Sequence, residues 1–377
     1  MKFILIGFFL RLLVAIWNGF FGPSFGAEGD AIVFHEIAIE VASQGVFDTK
    51  FNIGWIYAYF LGIIYQITTV HSIFLGSLLS CFAWLFSAIF LNKSIKLLQV
   101  QKKHRDLALL IYALIPSSIL FTSVTLREVY QLLFVNIFIF SSLMILIRRK
   151  NIFWLLLIFA TIGMGGLHFG LVLYAMLGAV LTLYFTSIKR NRILSIELII
   201  FYIPILSLLS YLGVTYGTEL VPFEFERGLA GAVQAYQAGH NEARAMYTFK
   251  PEIESLFGLI LFMPVSLFQY LLEPMPWKIQ TPLDLALFIE NIFRMILIYF
   301  AIRSFFKVNM SYKTPVLFLI MMFFALEMLW ALGTVNWGSA VRHHIPAMGI
   351  LVLIGVCLLD KNIHRVISIN PSRSKKI

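Results

Sequence analysis

Charge is scarce in this chain. Only 13% of its 377 residues are charged, 60% are hydrophobic, and the mean hydropathy is +0.88. A soluble domain carries about 25% charged residues and about 45–50% apolar ones. No soluble core accommodates this composition, and disordered and fibrous classes are excluded with it. Cysteine is nearly absent. Cys81 and Cys357 both lie inside apolar runs, so there is neither a disulfide framework nor a zinc pattern. A Gly-rich phosphate loop, a low-complexity tract and an internal repeat are missing too. What is plentiful is apolar sequence in runs of span length, with 37 Phe and 7 Trp suited to lipid contact and interfacial belts. The chain reads as all-α, a polytopic helical membrane protein with a single transmembrane domain over 1–377. Its net charge of +10 would suggest nucleic acid in a soluble protein. Here the cations sit mostly in short loops between apolar runs, the pattern of cytoplasmic loops, and the expected surroundings are membrane lipids, not nucleic acid.

A span needs about 20 apolar residues, and Lys/Arg in short loops mark the cytoplasmic side. If every apolar run crosses, the basic loop 93–105 (Lys93, Lys96, Lys102, Lys103, Arg105) falls outside. Assigning 54–67 and Leu256–Leu272 to segments in the outer interface restores the rule. The result is about ten spans, at roughly 3–21, 71–91, 107–124, 129–147, 152–167, 170–187, 194–214, 283–305, 314–332 and 346–359. Lys2 and the run after it resemble a signal peptide, but Arg11 interrupts that run and its length favours an uncleaved first span. Two outer loops are long, 22–70 and 215–282, and both are rich in acids, including Glu28, Asp30, Glu36, Glu40 and Asp48 in the first. Function is expected on the outer face, between these loops and the span ends.

Several residues there can carry chemistry. Residues 31–45 read as an amphipathic helix, with Phe34, Ile37, Ala38 and Val41 on one face. Asp30 before it is the natural N-cap; the alternative is a carboxylate held at the bilayer surface and able to act as a base. Arg127 and Glu128 fall at the outer end of two spans, where ionisable groups near hydrocarbon are costly and often functional. The plainer reading gives Glu128 a helix-dipole role. His168 lies at an outer turn flanked by glycines and reads as a hydrogen-bonded structural residue or a ligand-facing one. The segment 336–346 places Arg342, His343 and His344 beside hydrocarbon. These three suit an anionic headgroup, since arginine grips phosphate through two parallel hydrogen bonds; the alternative is snorkelling. No cofactor is required. A divalent metal is possible, with Asp30, Glu128 and His168 as candidate ligands, though their spacing does not demand one.

Four blocks of this sequence resemble the GT-C superfamily of integral-membrane glycosyltransferases. Residues 29–45, with Asp30, an aromatic Phe34 four residues on, the small Ala38 and then Gly45, look like that family's first outer loop. Residues 54–62, beginning Gly54-Trp55-Ile56-Tyr57, resemble its interfacial helix. Residues 123–128 look like its second acidic position, and 336–346 like its late Arg-aromatic-Arg-x-Pro segment. There are departures. A Lys-Pro-Pro is absent before the interfacial block, His343 and His344 stand where an aromatic and a second arginine are usual, and no soluble C-terminal domain follows.

The resemblance implies an inverting glycosyltransferase in a bacterial inner (plasma) membrane with its active site outside. It would take a polyprenyl-phosphate-linked sugar donor and a glycan or lipid acceptor. Asp30 would be the base, with Glu128 orienting the acceptor or sharing that role. Arg342 with His343 or His344 would hold the donor phosphate, and Arg127 would steady a carboxylate. A polymerase or ligase of lipid-linked oligosaccharides is the first alternative and would centre on Arg227, His240 and Arg244. A lipid-linked-sugar flippase is the second, with Arg11, Glu290, Arg294 and Glu327 as its in-span charges.

Overall fold

The computed structural model describes residues 1–24, 28–45, 53–188, 231, 233, 234, 237, 244–249 and 255–360. In chain order its helices are α1 (Lys2–Phe20), α2 (Asp30–Gln44), α3 (Ile56–Thr68), α4 (Ile73–Leu97), α5 (Lys102–Leu114), α6 (Pro116–Phe121) and α7 (Glu128–Arg148). They continue with α8 (Phe153–Leu167), α9 (Gly170–Ile188), α10 (Leu256–Leu272), α11 (Pro282–Phe305), α12 (Met310–Gly333), α13 (Trp337–His343) and α14 (Met348–Gly355). No strand occurs among the described residues. The chain is an all-helical membrane protein.

Six helices are long and apolar enough to cross a bilayer: α1, α4, α7, α9, α11 and α12. A seventh crossing arises if α13 and the helical stretch 348–359, bent by 72°, count as one. The expectation of about ten spans is not met among the described residues, for local reasons. The 152–167 run forms α8, whose 15 residues reach only about 22 Å along the axis against roughly 30 Å of hydrocarbon. The 107–124 run is broken into α5 and α6. The 346–359 run is the far arm of the bent pair, and 194–214 lies outside the described residues. α3 and α10 fall short of a span, as the charge pattern predicted for their segments.

The break between α5 and α6 is caused by Pro116, which has no N–H to donate and disfavours a helical residue before it. Beyond the break, the Ser117 N–H does not bond back to the Ala113 carbonyl; it donates to the Glu290 carboxylate at 3.3 Å. Arg11 supplies the missing donor. Its Nη1 bonds the carbonyls of Ala113 (3.1 Å) and Gly7 (3.0 Å), its Nε bonds Thr122 Oγ1 (2.7 Å) and its Nη2 bonds Ser118 Oγ (2.8 Å). The guanidinium also lies 3.7 Å from the Trp84 ring centroid. This in-span arginine is therefore fully buried and joins α1 to the broken helix. The two elements meet closely because residue 7 is glycine: a Cβ there would sit 2.5 Å from the Trp84 ring and 2.8 Å from Ala113 Cβ.

α2 buries Ala31, Phe34, Ala38 and Val41, close to the face read from its spacing. It packs on α3, which buries Tyr57, Leu61 and Tyr65. The contact is tight at Gly62, where a Cβ would lie 2.7 Å from Val41 and 2.9 Å from the Ala38 carbonyl. This pair of short helices sets the position of Asp30.

Candidate functional site

Asp30 is the first helical residue of α2, not its cap. Gly29 occupies the N-cap with φ +76°, a left-handed conformation that glycine adopts without strain. The expectation that Asp30 caps the helix is corrected accordingly: its side chain makes no capping hydrogen bond. Instead Oδ2 accepts from Arg342 Nη1 at 2.7 Å. Residues 312 positions apart thus form an ion pair at one end of the bundle, with the Asp30 side chain 58% exposed and that of Arg342 20%. Exposure of the carboxylate follows from its place at a helix start with Ala31 and Phe34 turned inward.

Arg342 is presented by α13, and α13 is held at its start. Asn336 caps it by accepting from the Ser339 N–H at 2.7 Å. Residues 244–249 run alongside: Tyr247 N–H donates to the Val335 carbonyl and Trp337 N–H to the Ala245 carbonyl, both at 3.0 Å. Trp337 Nε1 donates to Asp284 Oδ1 at 3.1 Å, and Arg244 grips the same carboxylate with two bonds, at 2.7 and 3.1 Å. Asp284 is fully buried and also closes a capping box with Thr281 at the start of α11. Arg244 therefore anchors the turn that precedes Arg342.

Arg127 and Glu128 follow a turn that packs against α2, the helix that bears Asp30. Thr125 Oγ1 donates to the Ala31 carbonyl at 3.1 Å, fixing the 122–127 turn against α2. Arg127 lies 5.9 Å from the Phe34 ring centroid. Glu128 opens α7, where the helix dipole favours an acid. It is nevertheless 5% exposed, and its Oε2 finds no hydrogen-bond partner among the described residues. A buried carboxylate oxygen without a donor is costly, and a substrate hydroxyl would relieve that cost.

His168 takes a structural role by geometry. Its Nδ1 accepts from the Gly170 N–H at 3.1 Å, which places the ring proton on Nε2 and satisfies a donor at the start of α9. Burial, reinforced by the Arg127 guanidinium, pushes the imidazole down to about 3, in keeping with that neutral tautomer. The ring centroid lies 4.6 Å from that of Trp330, whose own centroid lies 4.4 Å from that of His343 with the planes 19° apart. His343 Nδ1 in turn meets Thr334 Oγ1 at 2.7 Å. His168 and His343 are thus joined through Trp330 beside the ion pair.

His344 faces the other way. It is 3% exposed, with Nδ1 2.7 Å from Glu327 Oε2 and Nε2 3.2 Å from the Tyr270 carbonyl. Of the residues singled out from sequence, Asp30, Arg127, Glu128, His168, Arg342 and His343 gather at one end of the bundle, and His344 points into its interior. Arg227 and His240 lie outside the described residues. No group of three His, Cys, Asp or Glu able to hold a metal occurs among the described residues, and the Nδ1 of His168 is already occupied by Gly170. Sequence reasoning missed Trp330, Thr334, Trp337 and the anchoring role of Asp284. Of these only Asp284 carried a legible signal, the Thr281-Pro-Leu-Asp284 capping box.

No protein-family model, curated protein or solved structure matches this chain. Its function is therefore argued from geometry.

Proposed function

We propose that this protein is a membrane glycosyltransferase that moves a sugar from a polyprenyl-phosphate-linked donor to a glycan or lipid acceptor at the outer face of a bacterial inner membrane. The observation that carries the reading is the 2.7 Å contact between Asp30 and Arg342. A carboxylate able to act as a base and a guanidinium able to bind phosphate meet at an accessible helix start, with Glu128 buried nearby.

The chemistry follows from what each group can do. Donor phosphate competes with Asp30 for Arg342, and its charge-assisted bonds to a guanidinium are strong and paired. When Arg342 turns to the phosphate, Asp30 Oδ2 is released. The freed carboxylate takes the proton of the acceptor hydroxyl as that oxygen attacks the sugar carbon, and the sugar–phosphate bond breaks with inversion. Arg342 neutralises the charge gathering on the departing phosphate. Glu128 accepts a hydrogen bond from the acceptor and orients it. His343, stacked on Trp330, supports the turn bearing Arg342.

No observation favours the alternatives. The polymerase or ligase reading would centre on Arg227, His240 and Arg244; of these only Arg244 is among the described residues, where it pairs with Asp284. The transporter reading is not supported by any internal repeat, and Arg11, Glu290, Arg294 and Glu327 all have protein partners. The experiment is reconstitution of the purified protein with radiolabelled polyprenyl-phosphate sugars and a panel of acceptors. Sugar transfer by wild type, lost in Asp30→Asn and Arg342→Ala, is expected. Transfer unaffected by both substitutions, or no release of sugar from any donor, overturns the proposal.

A further inference from the structure

Four ionisable side chains surround one cavity inside the helical bundle: Glu290 and Arg294 from α11, Glu327 from α12, and His344 at the end of α13. Glu290 and Arg294 pair at 3.5 Å, and Ser117 Oγ bonds the same carboxylate. That half is electrically balanced. The other half is not balanced if its groups carry their usual charges, because an ionised Glu327 beside a neutral imidazole leaves one negative charge in an apolar interior.

Hydrogen-bond inventory at His344 settles the count. A neutral imidazole has one N–H and one bare nitrogen. Here Nδ1 meets a carboxylate oxygen, Glu327 Oε2, at 2.7 Å, and Nε2 meets a backbone carbonyl, that of Tyr270, at 3.2 Å. A carbonyl can only accept, so Nε2 carries a proton. A second proton must then lie between Nδ1 and Oε2, either as imidazolium against carboxylate or as carboxylic acid against neutral imidazole. We infer that Glu327 and His344 hold one shared proton and form a neutral pair, and that this proton fixes the turn presenting Arg342 two residues earlier. Both partners are almost completely buried. Glu327 and His344 are positioning residues; that Arg342 serves a phosphate rests on the function proposed above, whereas the proton count does not.

Facing groups do not change the count. Arg294 is offset by Glu290, and Tyr270 and Tyr247 face the pair as neutral phenols from α10 and from residues 244–249. On α13 itself, Arg342 pairs with Asp30 and His343 bonds Thr334.

The test uses the full chain in lipid nanodiscs. Nitrogen-15 histidine NMR, with His344 identified by its absence in His344→Gln, is expected to show either both ring nitrogens protonated or one protonated and the other bonded to an acid proton. In the second case a protonated-carboxyl infrared band disappears in Glu327→Gln. One bare nitrogen without that band overturns the inference. Glu327→Gln can donate to Nδ1 without a titrating proton. It is expected to fold with a thermal midpoint near that of wild type, whereas Glu327→Leu, which leaves Nδ1 without a partner, is expected to lower it; equal midpoints for all three proteins count against the shared proton. Donor turnover in Glu327→Gln should stay near wild type, and Glu327→Leu should lower it. Absence of turnover even in wild type sinks the transferase reading and leaves the proton to be decided by the spectra.

Discussion

Replacing Asp30 by Asn separates the ion pair's contribution to folding from its contribution to chemistry. The Asp30 side chain is 58% exposed, so solvent screens the pair and its contribution to stability is about 1 kcal/mol or less. Loss of an acid from the first turn of α2 adds a few tenths of a kcal/mol through the helix dipole, roughly 0.3–1. Asparagine keeps the size and can still accept a bond from Arg342. The variant should therefore insert and fold with a thermal midpoint only slightly lowered. Turnover should fall by about 10²–10⁴, the usual share of a general base. Donor binding should move the opposite way. In the resting protein the phosphate must displace a carboxylate from Arg342; in Asp30→Asn it displaces only a neutral amide. Relief of about 1 kcal/mol corresponds to roughly fivefold tighter donor binding. The assay measures donor affinity by equilibrium binding in nanodiscs and transfer rate on the same preparation. Weaker binding in Asp30→Asn would show that the pair does not compete with phosphate, and an unchanged rate would remove Asp30 as the base.

Arg342→Lys should preserve insertion because the positive charge remains, yet weaken donor binding by about 1.5–3 kcal/mol for one lost charge-assisted bond; equal affinity in a binding titration would reduce Arg342 to an interface anchor. Arg11→Leu removes four hydrogen bonds and strips the Ala113 carbonyl of its donor, so a destabilisation of about 1–3 kcal/mol is expected by chemical denaturation; an unchanged stability would refute its role in joining α1 to the broken helix. His168 is held neutral, so below about pH 6.5 an unfolded chain binds a proton that the folded one refuses, and stability should fall by up to about 1.4 kcal/mol per pH unit. His168→Asn should flatten that acid limb of the thermal midpoint, and an unaltered slope would contradict it. Glu28→Cys should react with an impermeant thiol reagent from outside and Lys102→Cys should not; labelling of the latter from outside would invert the orientation drawn from loop charge.

Helix class and most span positions were legible because composition and run length act over many residues at once. Six runs became spanning helices with ends displaced by a few residues, and the short segments 54–67 and Leu256–Leu272 were separated from them by charge. The count of ten is not confirmed among the described residues, and one departure from it turns on a single residue. Pro116 breaks a run that hydropathy reads as continuous, and its broken carbonyl is completed by Arg11, more than a hundred residues earlier. An in-span arginine looks like a functional charge in sequence because the carbonyls and hydroxyls that satisfy it are invisible there. The same holds for Glu327, whose partner His344 lies beyond its helix, and for Glu290, which pairs with Arg294 on its own helix but also binds Ser117.

The site was legible as a set of residues and not as a set of contacts. Asp30 was read as a helix cap because Asp before an amphipathic run usually caps; the preceding Gly29 takes that position, and the carboxylate becomes available to Arg342. His343 and His344 are adjacent in sequence and were read as one cluster. Neighbouring helical positions diverge by about 100°, and that divergence sends them to different environments: His343 to Trp330 at the accessible end, His344 to Glu327 in the interior. One short helix thus bears both the exposed pair and the buried one. The seven residues of α13 carry the guanidinium that meets Asp30 and end at an imidazole held by Glu327 and the Tyr270 carbonyl, so the buried contact positions the backbone from which Arg342 reaches out.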